Sequence, residues 1–227
     1  MTDITIPDVA LVDNTEQRTP LVLVLDSSGS MGGEPIQQLN AGLALLEQEL
    51  KEDAIAAKRV RVLVICYGGN DSAEIAADWH DAMDFSAPAL AANGTTPTGQ
   101  AVDLALAKIE EEKQRFKQAG IPYTRPWMFL MSDGSPTDDW QASAQRARSA
   151  EQGNKLAIFP IAVGEGAQSE TLAEFTVKGA AGVKRLTGLR FNELFLWLSA
   201  SMKVVSQSRP GGQAQLPATD AWSSAPV

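Results

Sequence analysis

Leu21 to Leu25 form an unbroken apolar run, LVLVL, that stops at Asp26 and opens into Ser27-Ser28-Gly29-Ser30-Met31-Gly32-Gly33. A strand with one wet face alternates polar and apolar residues. A run without alternation is a strand buried on both faces, and it needs a layer of helices on each side. The carboxylate and hydroxyls then emerge at the carboxyl end of that strand, where open α/β sheets bind their ligands. One segment thus constrains both the architecture and the place to look for function.

The rest of the chain repeats the pattern. Val60 to Tyr67, Trp127 to Met131 and Leu156 to Val163 are further apolar runs bounded by turn residues, and Glu74 to Phe85, with polar residues mixed in, suits a short edge strand. Between them, Ile36, Leu39, Leu43, Leu46 and Leu50 recur three and four apart, as one face of a helix does. Val102, Ala105, Ile109 and Phe116 mark a helix from Gly99 to Gly120, whose charged run EEEKQRFK reads as a solvated face. Helices are also expected from Trp140 to Gln152, stopped by Gly153, from Glu170 to Val177, and over a last stripe of Phe191, Leu194, Phe195, Leu198, Met202 and Val205. Strands alternating with helices predict an α/β fold with a mostly parallel sheet. No internal repeat is visible.

A chain of 227 residues suits one such domain, and its 44% hydrophobic content against 21% charged excludes the composition of disorder. Residues 1–19 read as an N-terminal extension, 20–207 as the domain, and 208–227, rich in Pro, Gly, Ser and Ala, as a flexible tail. Trp222 within that tail reads as a solvated or loosely docked side chain. The net charge of −9 opposes nucleic-acid and anionic membrane partners. Cys66 is the one cysteine, so no disulfide forms within the chain. No apolar run reaches membrane-spanning length, and MTDITIPDVALVDNTEQ has neither a basic start nor an apolar leader. A cytoplasmic monomer is the expectation.

Three loops concentrate oxygen-bearing side chains: Asp26, Ser28 and Ser30 after the first strand, Asn93-Gly94-Thr95-Thr96-Pro97-Thr98 before a helix, and Ser132-Asp133-Gly134 after the third buried strand. A hard cation such as Mg²⁺ takes oxygen ligands and keeps several waters, so a few carboxylates and hydroxyls with open positions suit it. Met31 fits either a partner-facing rim or an irregular gap in the core. Asp138 and Asp139 fit a helix start, where carboxylates favour the N-terminus.

These loops resemble those of the von Willebrand factor A family, whose metal-ion-dependent adhesion site draws on a DxSxS loop, a threonine from a second loop and an aspartate from a third. LVLVLDSSGSMGG matches the first, and FLMSDGSPTD the third. GTTPT stands where bacterial members often read GGTPT, with Thr95 in the usual glycine position. The resemblance covers roughly residues 20–206. It implies a Rossmann-like three-layer fold of about six strands with one antiparallel edge strand and helices on both faces. It further implies a divalent cation, Mg²⁺ or Mn²⁺, held by Asp26, Ser28, Ser30, Thr96 and Asp133, with a partner protein's Asp or Glu completing the shell. Within the family the chain is most similar to stand-alone bacterial domains of the tellurium-resistance TerY type, which implies kinases, phosphatases or other proteins of such operons as partners in a tellurite or stress response.

Catalytic readings fare worse. A Mg²⁺-dependent phosphatase of the haloacid-dehalogenase type would use Asp26 as nucleophile, but it expects a second carboxylate at position 28, which is serine, and a lysine in a later loop. Neither GxGxxG nor GxxxxGK[ST] is present. A Ser-His-Asp arrangement would need His80, the sole histidine, which reads as a surface residue on the edge strand. No enzyme is expected.

Overall fold

In the computed structural model, which describes Leu11 and residues 13–164, 166–212 and 214–224, one sheet runs through the protein with helices on both faces. Its elements are β1 (Thr19–Asp26), α1 (Glu34–Glu52), α2 (Ala56–Arg59), β2 (Val60–Tyr67), β3 (Ala73–Asp81), α3 (Thr98–Ala119), β4 (Trp127–Ser132), α4 (Gln141–Gln152), β5 (Ala157–Val163), α5 (Ser169–Ala173), β6 (Lys184–Leu186), α6 (Phe191–Gln207) and β7 (Ser223–Ser224). The strand order is β3-β2-β1-β4-β5-β6-β7. Pairing is parallel except at the two edges, β2 with β3 and β6 with β7. The expected mostly parallel sheet with an antiparallel edge is present, and the two-residue β7 adds a second such edge.

The alternation of side chains along β1 explains the three layers. Leu21, Leu23 and Leu25 point into one core with Leu39, Leu43 and Leu46 of α1 and Phe191, Phe195 and Leu198 of α6. Val22 and Val24 point into the other, with Ala101, Val102, Ala105 and Ile109 of α3 and Ala144 and Ala147 of α4. Every residue of β1 is buried, and each large aliphatic side chain so placed contributes roughly 1.5–3 kcal/mol. Gly42 lets α1 meet α6 closely, since a Cβ there would stand 2.4 Å from the Phe195 ring.

The chain passes from β1 to β2 on one side and later returns from β3 to β4 on the other side of β1, so the carboxyl ends of β1 and β4 flank the crevice where the strand order reverses. The register pairs Asp26 with Tyr67 on one side and Leu25 with Met131 on the other. The first and third oxygen-bearing loops leave the sheet side by side.

Two expectations are corrected. The charged run of α3 is not wholly solvated: Glu112 is 1% exposed and meets Arg61 at 2.5 Å, because position 112 continues the rhythm of Ala105, Ile109 and Phe116 on the inward face. Trp222 is not solvated either. It is 1% exposed and packs on Trp197 with ring centroids 5.3 Å apart, while its carbonyl accepts the Thr187 amide at 2.9 Å. The tail docks on the Trp197 ring of α6, which meets Phe129 of β4 edge-on and leaves part of its surface for Trp222. Asp138 serves a helix start as expected, accepting from the Gly99 and Gln100 amides at the head of α3. Met31 belongs to the core, and His80 is exposed on β3 as expected. No helix among the described residues is long and apolar enough to cross a membrane.

Candidate metal centre

Asp26 sits where β1 ends, 1% exposed, with both carboxylate oxygens engaged. Oδ1 accepts the Ser28 amide at 2.9 Å, and Oδ2 accepts the Ser132 hydroxyl at 2.8 Å. The chain then winds through a 3-10 turn over Gly29–Met31, which keeps the Ser28 and Ser30 hydroxyls 3.0 Å apart. The Ser30 hydroxyl in turn donates to Oδ1 of Asp133 at 2.8 Å. Asp26, Ser28, Ser30 and Asp133, drawn from loops more than a hundred residues apart in sequence, therefore cluster within hydrogen-bonding reach of one another.

The threonine loop is laced to both neighbours. Asn93 donates its amide to the Ser27 carbonyl at 2.9 Å, and the Gly29 amide donates to the Gly94 carbonyl at 3.1 Å. Gly94 has φ +74°, and a Cβ there would lie 1.8 Å from the Gly68 carbonyl oxygen, so no side chain fits. Thr95 anchors to Asp71 through its amide, 2.9 Å. Thr96 is 7% exposed and shares two hydrogen bonds with Thr137, from its amide to the Thr137 hydroxyl and from the Thr137 amide to its carbonyl. Its hydroxyl makes no hydrogen bond among the described residues. The structure thus brings together four of the predicted ligands and sets the fifth in the adjoining loop.

Two residues outside the sequence-based set hold the floor. Ser132 fixes Asp26, as above. Tyr67 is fully buried and donates its hydroxyl to the Met131 carbonyl at 2.7 Å. Burial, with the Asp26 charge adding, pushes the Tyr67 phenol well above its ordinary value and keeps it a neutral donor. Ser132 stands beside a predicted ligand in SDG, and Tyr67 closes a strand, but neither feature marks them in the sequence.

The electrostatics favour a cation. Burial raises the Asp26 carboxyl above the usual carboxylate range, against hydrogen bonds from Ser28 and Ser132, and the neighbouring Asp133 charge raises it further. Burial likewise raises Asp133, against the Ser30 hydrogen bond. Among the described residues no Lys or Arg offsets either carboxylate. Among the described residues no group of three or more His, Cys, Asp or Glu is placed to hold a metal, so a cation here relies on hydroxyls. Two carboxylates and hydroxyl oxygens form a hard donor set that fits an oxygen-seeking dication and neutralises it.

The von Willebrand factor type A domain model matches residues 21–187. The chain belongs to that family. No curated protein matches it, but solved structures share the fold of this A domain. The pilus adhesin SpaC of Lactobacillus rhamnosus GG in its open conformation aligns with TM-score 0.66 and 13% identity, over 84% of this chain and 31% of that one. The von Willebrand factor type A protein of Catenulispora acidiphila aligns with TM-score 0.58 and 18% identity, over 83% and 43%. Proximal thread matrix protein 1 of the mussel byssus, in the form whose MIDAS motif holds zinc, aligns with TM-score 0.54 and 13% identity, over 83% and 48%. The A domain described here spans less than half the length of each of these chains.

Proposed function

We propose that this A domain is a metal-dependent protein-binding module in which Asp26, Ser28, Ser30, Thr96 and Asp133 hold Mg²⁺ or Mn²⁺. The observation that carries the reading is the hydrogen-bonded cluster of Asp26, Ser28, Ser30 and Asp133 at the point where the strand order reverses, with two carboxylates that no basic side chain among the described residues offsets. A bound dication would supply Lewis acidity for an incoming carboxylate, since the protein neutralises its charge without filling its coordination shell. Ser132 and Tyr67 orient the site: one fixes Asp26, the other ties the carboxyl ends of β2 and β4 together. The zinc in the mussel protein's motif supports a metal role for this constellation on the same fold.

The partner we infer is a protein that presents Asp or Glu, recognised by a monomeric cytoplasmic module. The likeness of LVLVLDSSGSMGG and GTTPT to TerY-type domains supports a tellurite or stress-response setting, with operon kinases and phosphatases as partners. A phosphatase reading is disfavoured by the site itself: Asp26, the required nucleophile, is buried with both oxygens accepting hydrogen bonds, and Ser28 stands where an acid is needed.

Calorimetric titration of Mg²⁺ and Mn²⁺ into metal-free protein tests the reading. Saturable one-site binding that is lost in Asp26→Ala and weakened in Thr96→Ala, with both variants folded, supports it. Binding unchanged in both variants, or release of phosphate from simple esters, overturns it.

A further inference from the structure

A cavity of about 970 Å³ opens at the other end of the sheet, where β4 and β5 begin with Trp127 and Ala157. The length of β4 separates it from Asp133 by roughly 20 Å at about 3.3 Å per residue, so it is independent of the metal centre. Its walls come from α3, the segment leading into β4, the starts of β4 and β5, and residues of the tail around Arg209 and Leu216.

Its charge runs against that of the protein. Lys113, Lys117, Arg125, Lys155 and Arg209 line it, with Glu110 the one carboxylate, in a chain whose net charge is −9. Glu110 is already held by Lys113 at 2.6 Å. Arg125 donates to the carbonyls of Leu156 and Glu151 and forms no ion pair among the described residues. Among the described residues Lys117, Lys155 and Arg209 form no ion pair. Aromatic edges lie in the same wall: Trp127 and Phe159, whose ring centroids are 4.6 Å apart, and Tyr123, whose ring packs on Phe116. Thr124, also in the wall, has a buried hydroxyl with no hydrogen-bond partner among the described residues. Like charges are gathered against their mutual repulsion only at some cost in stability, which an anion would relieve.

We propose that this basin binds a small organic polyanion carrying a flat ring, the chemistry of a nucleoside phosphate. The ring packs against the aromatic edges that Trp127, Phe159 and Tyr123 turn to the basin, the faces of Phe159 being taken by Phe129 and the Lys178 ammonium, and the phosphates meet Lys117, Lys155 and Arg209, as cation-rich sites hold them. The concavity and volume are those of a small-molecule site. An extended polyanion is disfavoured, because beyond the basin it meets the field of an acidic protein.

The test is calorimetric titration of ATP, adenosine, tripolyphosphate and a single-stranded oligonucleotide into the full chain. EDTA is present and no divalent cation is added, so the Asp26 cluster takes no part. ATP is expected to bind at one site, more tightly than adenosine or tripolyphosphate, with affinity falling as salt rises. Lys117→Ala/Lys155→Ala, checked by circular dichroism, should weaken ATP about tenfold, and Asp26→Ala should leave it unchanged. No saturable ATP binding, ATP binding indifferent to the double variant, tripolyphosphate as tight as ATP, or tighter binding of the oligonucleotide would each overturn the proposal.

Discussion

Removing Glu112 probes a part of the protein that no surface reading of its charged helix would single out. Arg18, Arg61, Asp81 and Glu112 are each 3% exposed or less. They form one neutral cluster in which Arg61 meets Glu112 at 2.5 Å and Asp81 at 3.2 Å, and Arg18 meets Asp81 at 3.2 Å. Burial draws the Arg61 guanidinium down, but Glu112 and then Asp81 outweigh it, so its pKa ends above the ordinary value. Arg18 ends below its own, since burial there exceeds what Asp81 returns. Glu112→Ala leaves two buried guanidiniums facing one carboxylate in this cluster. Breaking a buried pair by deleting one partner costs about 3–5 kcal/mol, a large share of the 5–15 kcal/mol typical of a domain. For a chain of this size the melting temperature should fall by roughly 6–20 °C. Thermal and urea unfolding followed by circular dichroism measure it. Arg61→Met/Glu112→Leu, which removes both charges and keeps apolar bulk, should recover much of the loss. A Glu112→Ala penalty below about 1 kcal/mol, the range of exposed pairs, would refute the argument.

Three further outcomes are expected. Gly94→Ala places a methyl group against the Gly68 carbonyl at a positive φ, so it should shift the threonine loop and weaken Mg²⁺ binding while the far-ultraviolet spectrum stays native; unchanged affinity would count against the loop's role. Trp222→Ala removes a buried ring from Trp197 and should cost about 3 kcal/mol, with limited proteolysis cutting first within the tail; a resistant tail in the variant would contradict its docking through that ring. The folded protein holds protons on Asp26 and Asp133 above the ordinary carboxylate value of 3.8, where the unfolded chain has released them. Metal-free stability contributed by these groups therefore falls as pH rises from that value through the raised ones. Asp26→Asn in EDTA should flatten this trend in urea midpoints, and an unaltered slope would refute the assignment.

Much of this molecule was legible along the chain. Unalternated runs such as LVLVL have no stable home except between two helical layers, and the three-four rhythm of Ile36 to Leu50 and of Phe191 to Val205 names the faces that cover them. Asp26, Ser28 and Ser30 announce themselves because local spacing puts them on one tight loop, and the strand before them says where that loop emerges.

Tertiary structure decided what depends on distant partners. Glu112 kept the apolar rhythm of α3, yet only the position of Arg61 at the foot of β2 turns a buried carboxylate from a penalty into a neutral cluster. Trp222 sits among residues with turn and linker chemistry, and its burial follows from the Trp197 ring that α6 presents to it. Ser132 and Tyr67 came to support the Asp26 cluster through the register of β1 with its two neighbours. The basic basin draws its residues from four separate stretches of an acidic chain. Periodicity is a property of near neighbours, and compensation between charges, rings and carbonyls belongs to pairs that only the folded chain brings into contact.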